Sequence, residues 1–258
     1  MADEQHPIQC LYTLLEHFRP YPKGVVPMPR YIGGPSFFPG GAGLTNAPVE
    51  GPLPPWPLGG VMIVAHNFDC EAGYTRAMRM PPSALARDTS VTRRTLDRLL
   101  TEAGIPLEQC FYTNAYVGLK EGDNSVGVFP GSRNADFVRQ YHAFLLAQVQ
   151  LQQPRLILSL GGDVLRFLAM WESVPDLFRA WAGARTTRDV DARGAALVPD
   201  VHFPHVSHST TVVALTHPAI WASNVRWRRY SAGGNTYEGA GAEKALLRDG
   251  IARCAFSS

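Results

Sequence analysis

Four short apolar runs, each of strand length and each followed by a stretch with helical spacing, constrain this chain more than anything else in it. They are Val61-Met-Ile-Val64, Cys110-Phe-Tyr-Thr-Asn-Ala-Tyr116, Arg155–Leu160 and Thr211-Val-Val-Ala-Leu215. After the first, Asp88-Thr89-Ser90 offers caps for a helix through Leu96, Leu99, Leu100 and Ala103 that ends at Gly104. After the second, Asn134 caps a long helix with Phe137, Tyr141, Phe144, Leu145 and Val149 at apolar positions. The third is closed by Gly161-Gly162 and continues as helix over Leu165–Met170, and Ala242–Cys254 forms a helix after the fourth. Strands alternating with helices pair in parallel, because each crossover helix returns the chain to the same edge and must bury its apolar stripe on the sheet. The expected fold is therefore α/β: a three-layer α/β/α sandwich with a short, mostly parallel four-stranded sheet.

The chain before the first run reads differently. Ile8, Leu11, Leu15 and Phe18 share one helical face, and Arg19-Pro20 ends that helix. From Pro20 to Gly59 proline and glycine dominate, with aromatics at Tyr21, Tyr31, Phe37, Phe38 and Trp56. Such a segment is neither regular helix nor central strand, and its aromatics argue for an ordered arm laid across the domain. The expected organisation is residues 1–59 as helix plus packed arm, and 60–258 as one α/β domain. Trp171–Asp200 reads as irregular, with a short helix around Leu177–Trp181.

Composition excludes several classes. A net charge of +2 is too small to require a nucleic-acid partner, although the basic side chains are mostly arginine, which suits bidentate phosphate contacts. No apolar run reaches membrane-spanning length, and MADEQHPIQ is unlike a secretory signal, so no membrane partner and a cytoplasmic location are expected. Cys10, Cys70, Cys110 and Cys254 form no C-x-x-C pair, which leaves no disulfide framework, zinc site or iron–sulfur spacing. In HFPHVSH, His202 and His205 would face opposite ways in an extended segment, and Pro204 opposes the helix that would align them. No metal and no other cofactor is expected, and the chain is expected to act as a monomer.

The chemistry gathers where the strands end. Val61–Val64 stops at Ala65-His66-Asn67-Phe68-Asp69, with Glu71 close behind, so an amide, an imidazole and two carboxylates follow a buried strand directly. Ligands of open α/β sheets bind beyond the carboxyl ends of the strands, and the bland alternative is a capped loop starting the next helix. Three strand ends deliver Asn67 and Asp69, Asn114, and His217 to what should be one edge.

In order and placement these elements resemble the uracil-DNA glycosylase superfamily. GVMIVAHNFDCEAGY resembles its first strand and Gly-x-[Asp/Asn]-Pro-like loop, and FYTNAYVGL the strand whose asparagine reads the base edge. QPRLILSLGGDVLRFL resembles its P-x-[LIV]-[LIV]-x-x-L-G strand and helix, and THPAIWASN its His-Pro-Ser loop. The resemblance covers about Gly60–Arg229, with departures at Ala65 for glycine, Phe68 for proline and Ala219 for serine. It implies a metal-free, monofunctional DNA N-glycosylase that flips a base and leaves an abasic site, in DNA repair or phage defence. The base would be uracil or a bulkier modified pyrimidine, including the hypermodified cytosines of phage DNA. Asn67 would place water, with Asp69 or Glu71 as an alternative carboxylate.

Elementary chemistry assigns the remaining roles. Cutting an N-glycosidic bond builds positive charge on the sugar and negative charge on the base, so His217 fits as donor to the base, and Asn67 or Asp69 as the group that orients water. Asn114 offers an acceptor and two donors to a pyrimidine edge, and Phe68, Tyr74 or the arm's Phe37 a face for stacking. Ile220 and Trp221 stand where the family carries its wedge, and Arg226, Arg228 and Arg229 beyond them would grip phosphates of single- or double-stranded DNA. Two other classes use the same features: a catalytically silent nucleic-acid-binding module, and a nucleoside or nucleotide hydrolase on the same fold.

Overall fold

The computed structural model describes residues 6–29, 37, 55–79 and 91–254. Its sheet is built on β2 (Val61–Cys70), β3 (Cys110–Lys120), β4 (Leu156–Leu160) and β6 (Thr210–Leu215), which run parallel. These are the four expected strands, but the sheet has six. β1 (Val25–Pro27) and β5 (Leu197–Val201) pair antiparallel with β3 and β6, giving the order β1-β3-β2-β4-β6-β5. Both additions escape a pattern reading for the same reason: they are edges. β1 is three residues ending in Pro27, and an edge tolerates a proline that a central ladder does not. β5 is Leu-Val-Pro-Asp-Val, with Asp200 at φ 53° and a register shift between Val198 and Val201.

Two of the parallel strands run past their expected ends, β3 from Tyr116 to Lys120 and β2 from Val64 to Cys70. β2 keeps its pairing to Cys70, so the expected polar loop after Val64 is strand, with a register shift between Asn67 and Asp69. Helix α2 (Glu71–Met78) follows at once.

The helices are α1 (Pro7–Glu16), α3 (Val91–Glu102), α4 (Ala135–Gln152), α5 (Gly162–Ala169), α6 (Pro175–Trp181), α7 (Thr187–Ala192), α8 (Trp221–Asn224) and α9 (Gly239–Ala252). Asn134 caps α4 as expected, its Oδ1 accepting from the Phe137 N–H at 3.0 Å. The caps expected for α3 at Asp88–Ser90, and Tyr31 and Phe38 of the arm, lie outside the described residues. α4 covers one face of the sheet, where Gln148 accepts from the Thr113 hydroxyl, with Phe18 beyond α1 packed on Tyr141 and Phe144 and with α5 alongside. α3 and α9 share the other face, joined by Lys244–Glu102 at 2.9 Å, and Gly250 of α9 lets that helix settle onto Val213 and Leu156.

The described part of the arm is packed rather than free. Phe37 is fully buried among Tyr12, Phe111 and Phe144, and its N–H donates to the Tyr112 carbonyl at 2.8 Å on the edge of β3. Trp56 lies against Phe111 and donates to the Leu151 carbonyl. A further helix and a hairpin were not anticipated either. α7 starts with a Thr186/Asp189 capping box, and β7 (Arg229–Ala232) and β8 (Asn235–Glu238) form a hairpin turned by Gly233-Gly234 at φ 57° and 79°. All four cysteines are free, and among the described residues no helix is long and apolar enough to cross a membrane.

Candidate active site

Parallel pairing places the carboxyl ends of β2, β4 and β6 side by side, and each brings one group to the common edge. His217 follows β6. Gly161, after β4, has φ 88°, and a Cβ there would meet the His217 Cβ at 2.9 Å, so glycine is needed both for the backbone and for the close approach. His217 Nδ1 accepts from the Ala219 N–H at 3.2 Å. With Nδ1 accepting, the proton of the neutral ring sits on Nε2, which is thereby set up as a donor. Burial holds the His217 pKa below its usual value, against an opposing pull from Asp163.

A second imidazole stands beside it. His66 of β2 is 14% exposed, with Nδ1 3.7 Å from Asp163 Oδ2, a charge contact rather than a hydrogen bond. Burial pushes its pKa down to about 4; the Asp163 carboxylate opposes this, while Arg166, His217 and Lys120 add to it. The His66 ring meets Tyr116 and Phe129 edge-on at 5.8 and 6.2 Å. Asp163 lies in the first turn of α5 and is paired with Arg166 of the same helix. The edge thus holds two neutral imidazoles around one paired carboxylate. His66 is visible in the sequence among the polar residues that end the first strand, but Asp163 and Arg166 look like an ordinary helical i, i+3 pair.

The other expected residues divide. Asn67 sits half-buried at this edge, its Nδ2 making a long 3.4 Å contact to the Asp69 carbonyl. Asp69 instead lies against the start of α2: its Oδ1 accepts from the Cys70 N–H at 2.7 Å, a Cβ on Gly73 would strike its carboxylate, and the helix N–H of Gly73 donates to Cys70 Sγ at 3.4 Å. Glu71 accepts from the Gly122 N–H at 2.8 Å, so both carboxylates serve local structure. Asn114 pairs with Ala65, two residues before Asn67, is 1% exposed, and donates through Nδ2 to the Phe37 carbonyl. Among the described residues its Oδ1 has no hydrogen-bond partner. Phe68 and Tyr74 pack on each other at 5.4 Å, and both are buried.

The loop after His217 requires two corrections. Trp221 is half-buried against the core, with the Arg98 guanidinium 4.9 Å over its ring, whereas Ile220 is 50% exposed; the side chain that projects is the isoleucine. Arg228 is not a surface phosphate ligand. It is fully buried, bonded to Asp191 through Nε at 2.8 Å and Nη2 at 3.0 Å, to Glu243 through Nη1 at 2.7 Å, and to the Ala214 carbonyl. Its carboxylate partners come from α7 and α9, which sequence order does not bring together. Glu243 Oε1 also accepts from the Thr216 N–H at 2.8 Å and from the Thr216 hydroxyl, so this buried network fixes the residue preceding His217. Arg226 is exposed, and Arg229, also exposed, pairs with Glu238 at 3.3 Å.

No curated protein matches the chain. A family model described as the uracil DNA glycosylase superfamily matches residues 74–230, which takes in β3, α4, β4 and the His217 loop, while the polar end of β2 lies just before it. The match covers more than half the sequence and takes in the β4 and β6 ends of the edge described above: the chain belongs to the uracil DNA glycosylase superfamily.

Proposed function

We propose that the protein is a monofunctional DNA glycosylase that extrudes a damaged or modified pyrimidine and hydrolyses its N-glycosidic bond. The observation that carries this reading is the His217 tautomer: a half-buried, neutral imidazole with Nδ1 tied to the Ala219 N–H, which leaves the ring proton on Nε2. As the C1′–N bond breaks, its electron pair moves onto the base, and a neutral donor facing the developing oxyanion stabilises it. One such donor contributes on the order of 3 kcal/mol in a water-poor site.

The attacking water needs orientation more than deprotonation, because the sugar already carries positive charge. Asn67 and His66 are the groups at this edge suited to that task; Asp69 and Glu71 are occupied by α2 and by Gly122. A base with an N–H donor on its pairing edge, such as uracil, would satisfy the buried Oδ1 of Asn114, whose isolation otherwise costs about 1–3 kcal/mol. Phe37, whose carbonyl holds the Asn114 Nδ2, would have to give way for a base to reach that amide.

The test is mass spectrometry of bases released from uracil-containing, hypoxanthine-containing and hypermodified phage DNA, with abasic sites counted in parallel. Release of one base with a matching number of abasic sites is expected. Binding without release from any of these DNAs would leave a silent nucleic-acid-binding module, and release from free nucleosides alone would leave a nucleoside hydrolase.

A further inference from the structure

We propose that Arg188, Trp227 and Arg226 form a contact surface for the DNA backbone outside the base site, with the indole acting as a rest for two phosphate-binding guanidiniums. The Arg188 guanidinium lies 5.3 Å and that of Arg226 4.7 Å from the Trp227 ring centroid, and Trp227 is 49% exposed. Both arginines are exposed. Among the described residues neither holds a carboxylate partner, unlike Arg229 beside them, which pairs with Glu238.

The arrangement is built from within. Arg188 stands on α7 and Arg226 in the turn after α8, two segments that have no sequence reason to meet. What joins them is the buried pair Asp191–Arg228, whose side chains are 4% and 0% exposed, together with the Arg229 N–H donating to Asp191 Oδ2 at 3.0 Å. Asp191 lies one turn beyond Arg188 on α7, and Arg228 directly follows Trp227, so the inward-facing ion pair sets the outward-facing stack. The segment that leads into α7 is packed beside the catalytic edge. The Arg185 carbonyl, just ahead of α7, sits 2.5 Å from where a Cβ of Gly162 would be, and neighbouring Gly161 abuts His217.

Two unpaired planar cations beside an exposed indole fit a polyanion. Guanidinium forks match phosphate oxygens, and stacking on an aromatic face holds each fork in place before the ligand arrives. Phosphodiesters are chosen over an acidic protein surface because DNA must already lie across the adjoining edge; the proposal rests on the glycosylase reading to that extent.

The test compares wild type, the Arg188→Gln/Arg226→Gln pair and the Arg188→Lys/Arg226→Lys pair, measuring anisotropy of a short fluorescein-labelled DNA duplex over a range of NaCl concentrations. Each lost phosphate contact removes about 0.9 from the slope of log K against log salt. The glutamine pair should therefore lose nearly two from the slope and excise more slowly at sub-saturating DNA in the same proportion. The lysine pair should keep most of the slope, and all three proteins should melt alike because both positions are exposed. A wild-type slope in the glutamine pair overturns the surface. If no DNA loses a base yet the glutamine pair still loses slope, the glycosylase reading fails and the surface stands.

Discussion

Arg228→Ala separates two meanings of the same arginine. If Arg228 gripped a phosphate, its loss would weaken DNA binding and leave the fold alone. In the structure it is the shared cation of Asp191 and Glu243, whose side chains are 4% and 0% exposed, and it also satisfies the Ala214 carbonyl. Truncation strands two buried carboxylates, and breaking a buried pair from one side costs about 3–5 kcal/mol. For a chain of this size each kcal/mol lowers the melting temperature by roughly 2–4 °C, so a drop on the order of 6–20 °C is expected. Because Glu243 also holds Thr216 ahead of His217, turnover should fall as well, even at temperatures where the variant is fully folded. Thermal melting would be paired with anisotropy on labelled duplex well below the transition, where the salt slope should match wild type. A melting temperature within about 2 °C of wild type, together with a slope reduced by about one, would refute the buried-network argument and return Arg228 to the DNA.

The other predictions address the edge itself. His217→Ala should slow base release by on the order of a hundredfold or more while DNA affinity holds and stability falls by no more than about 1 kcal/mol, the worth of its cap on the Ala219 N–H; single-turnover excision measures this. Asn67→Ala should lose more activity than Asp69→Asn, whereas Asp69→Ala should cost up to about 1 kcal/mol of stability as the loss of a carboxylate at the N-terminus of α2; the reverse ranking would move water placement to the carboxylate. His66 has a folded pKa of about 4, below its ordinary 6.5, so the unfolded chain binds its proton first on acidification. Its contribution is complete above pH 6.5 and is lost as pH falls toward 4, up to about 3 kcal/mol, and denaturant midpoints of His66→Gln across that window should be correspondingly flatter. Ile220→Ala should impair excision from paired duplex more than from single strands, while Trp221→Ala should lower melting and affect both substrates equally.

The parallel core was legible because a strand buried on both faces must be apolar throughout, and Val61–Val64 and Thr211–Leu215 advertise that. The edges were not, because β1 and β5 are buried only in part and carry Pro27, Pro199 and Asp200, residues that read as loop. The site followed the same division. His217 and Asn67 could be named because the strand ahead of each fixes where it emerges, so a one-dimensional signal carries three-dimensional information. Asp163 gave no such signal: an aspartate in the first turn of a helix with an arginine three residues on is ordinary, and only the β2–β4 pairing brings it to His66.

Arg228 is the opposite case. Arg226-Trp227-Arg228-Arg229 looks like one basic surface, yet its members point different ways, and the residue that decides is Asp191, 37 positions earlier in the chain. A buried arginine differs from an exposed one only by the carboxylates that meet it, and those come from helices whose packing no local pattern encodes. The physical consequence is a division of labour along four consecutive residues. Arg228 faces inward and holds α7 and α9 to the strand that carries His217, and by doing so it leaves Trp227 and Arg226 facing solvent under Arg188. The interior pair and the exposed stack are two sides of one turn, and a substitution in the outer stack should leave the interior pair unchanged.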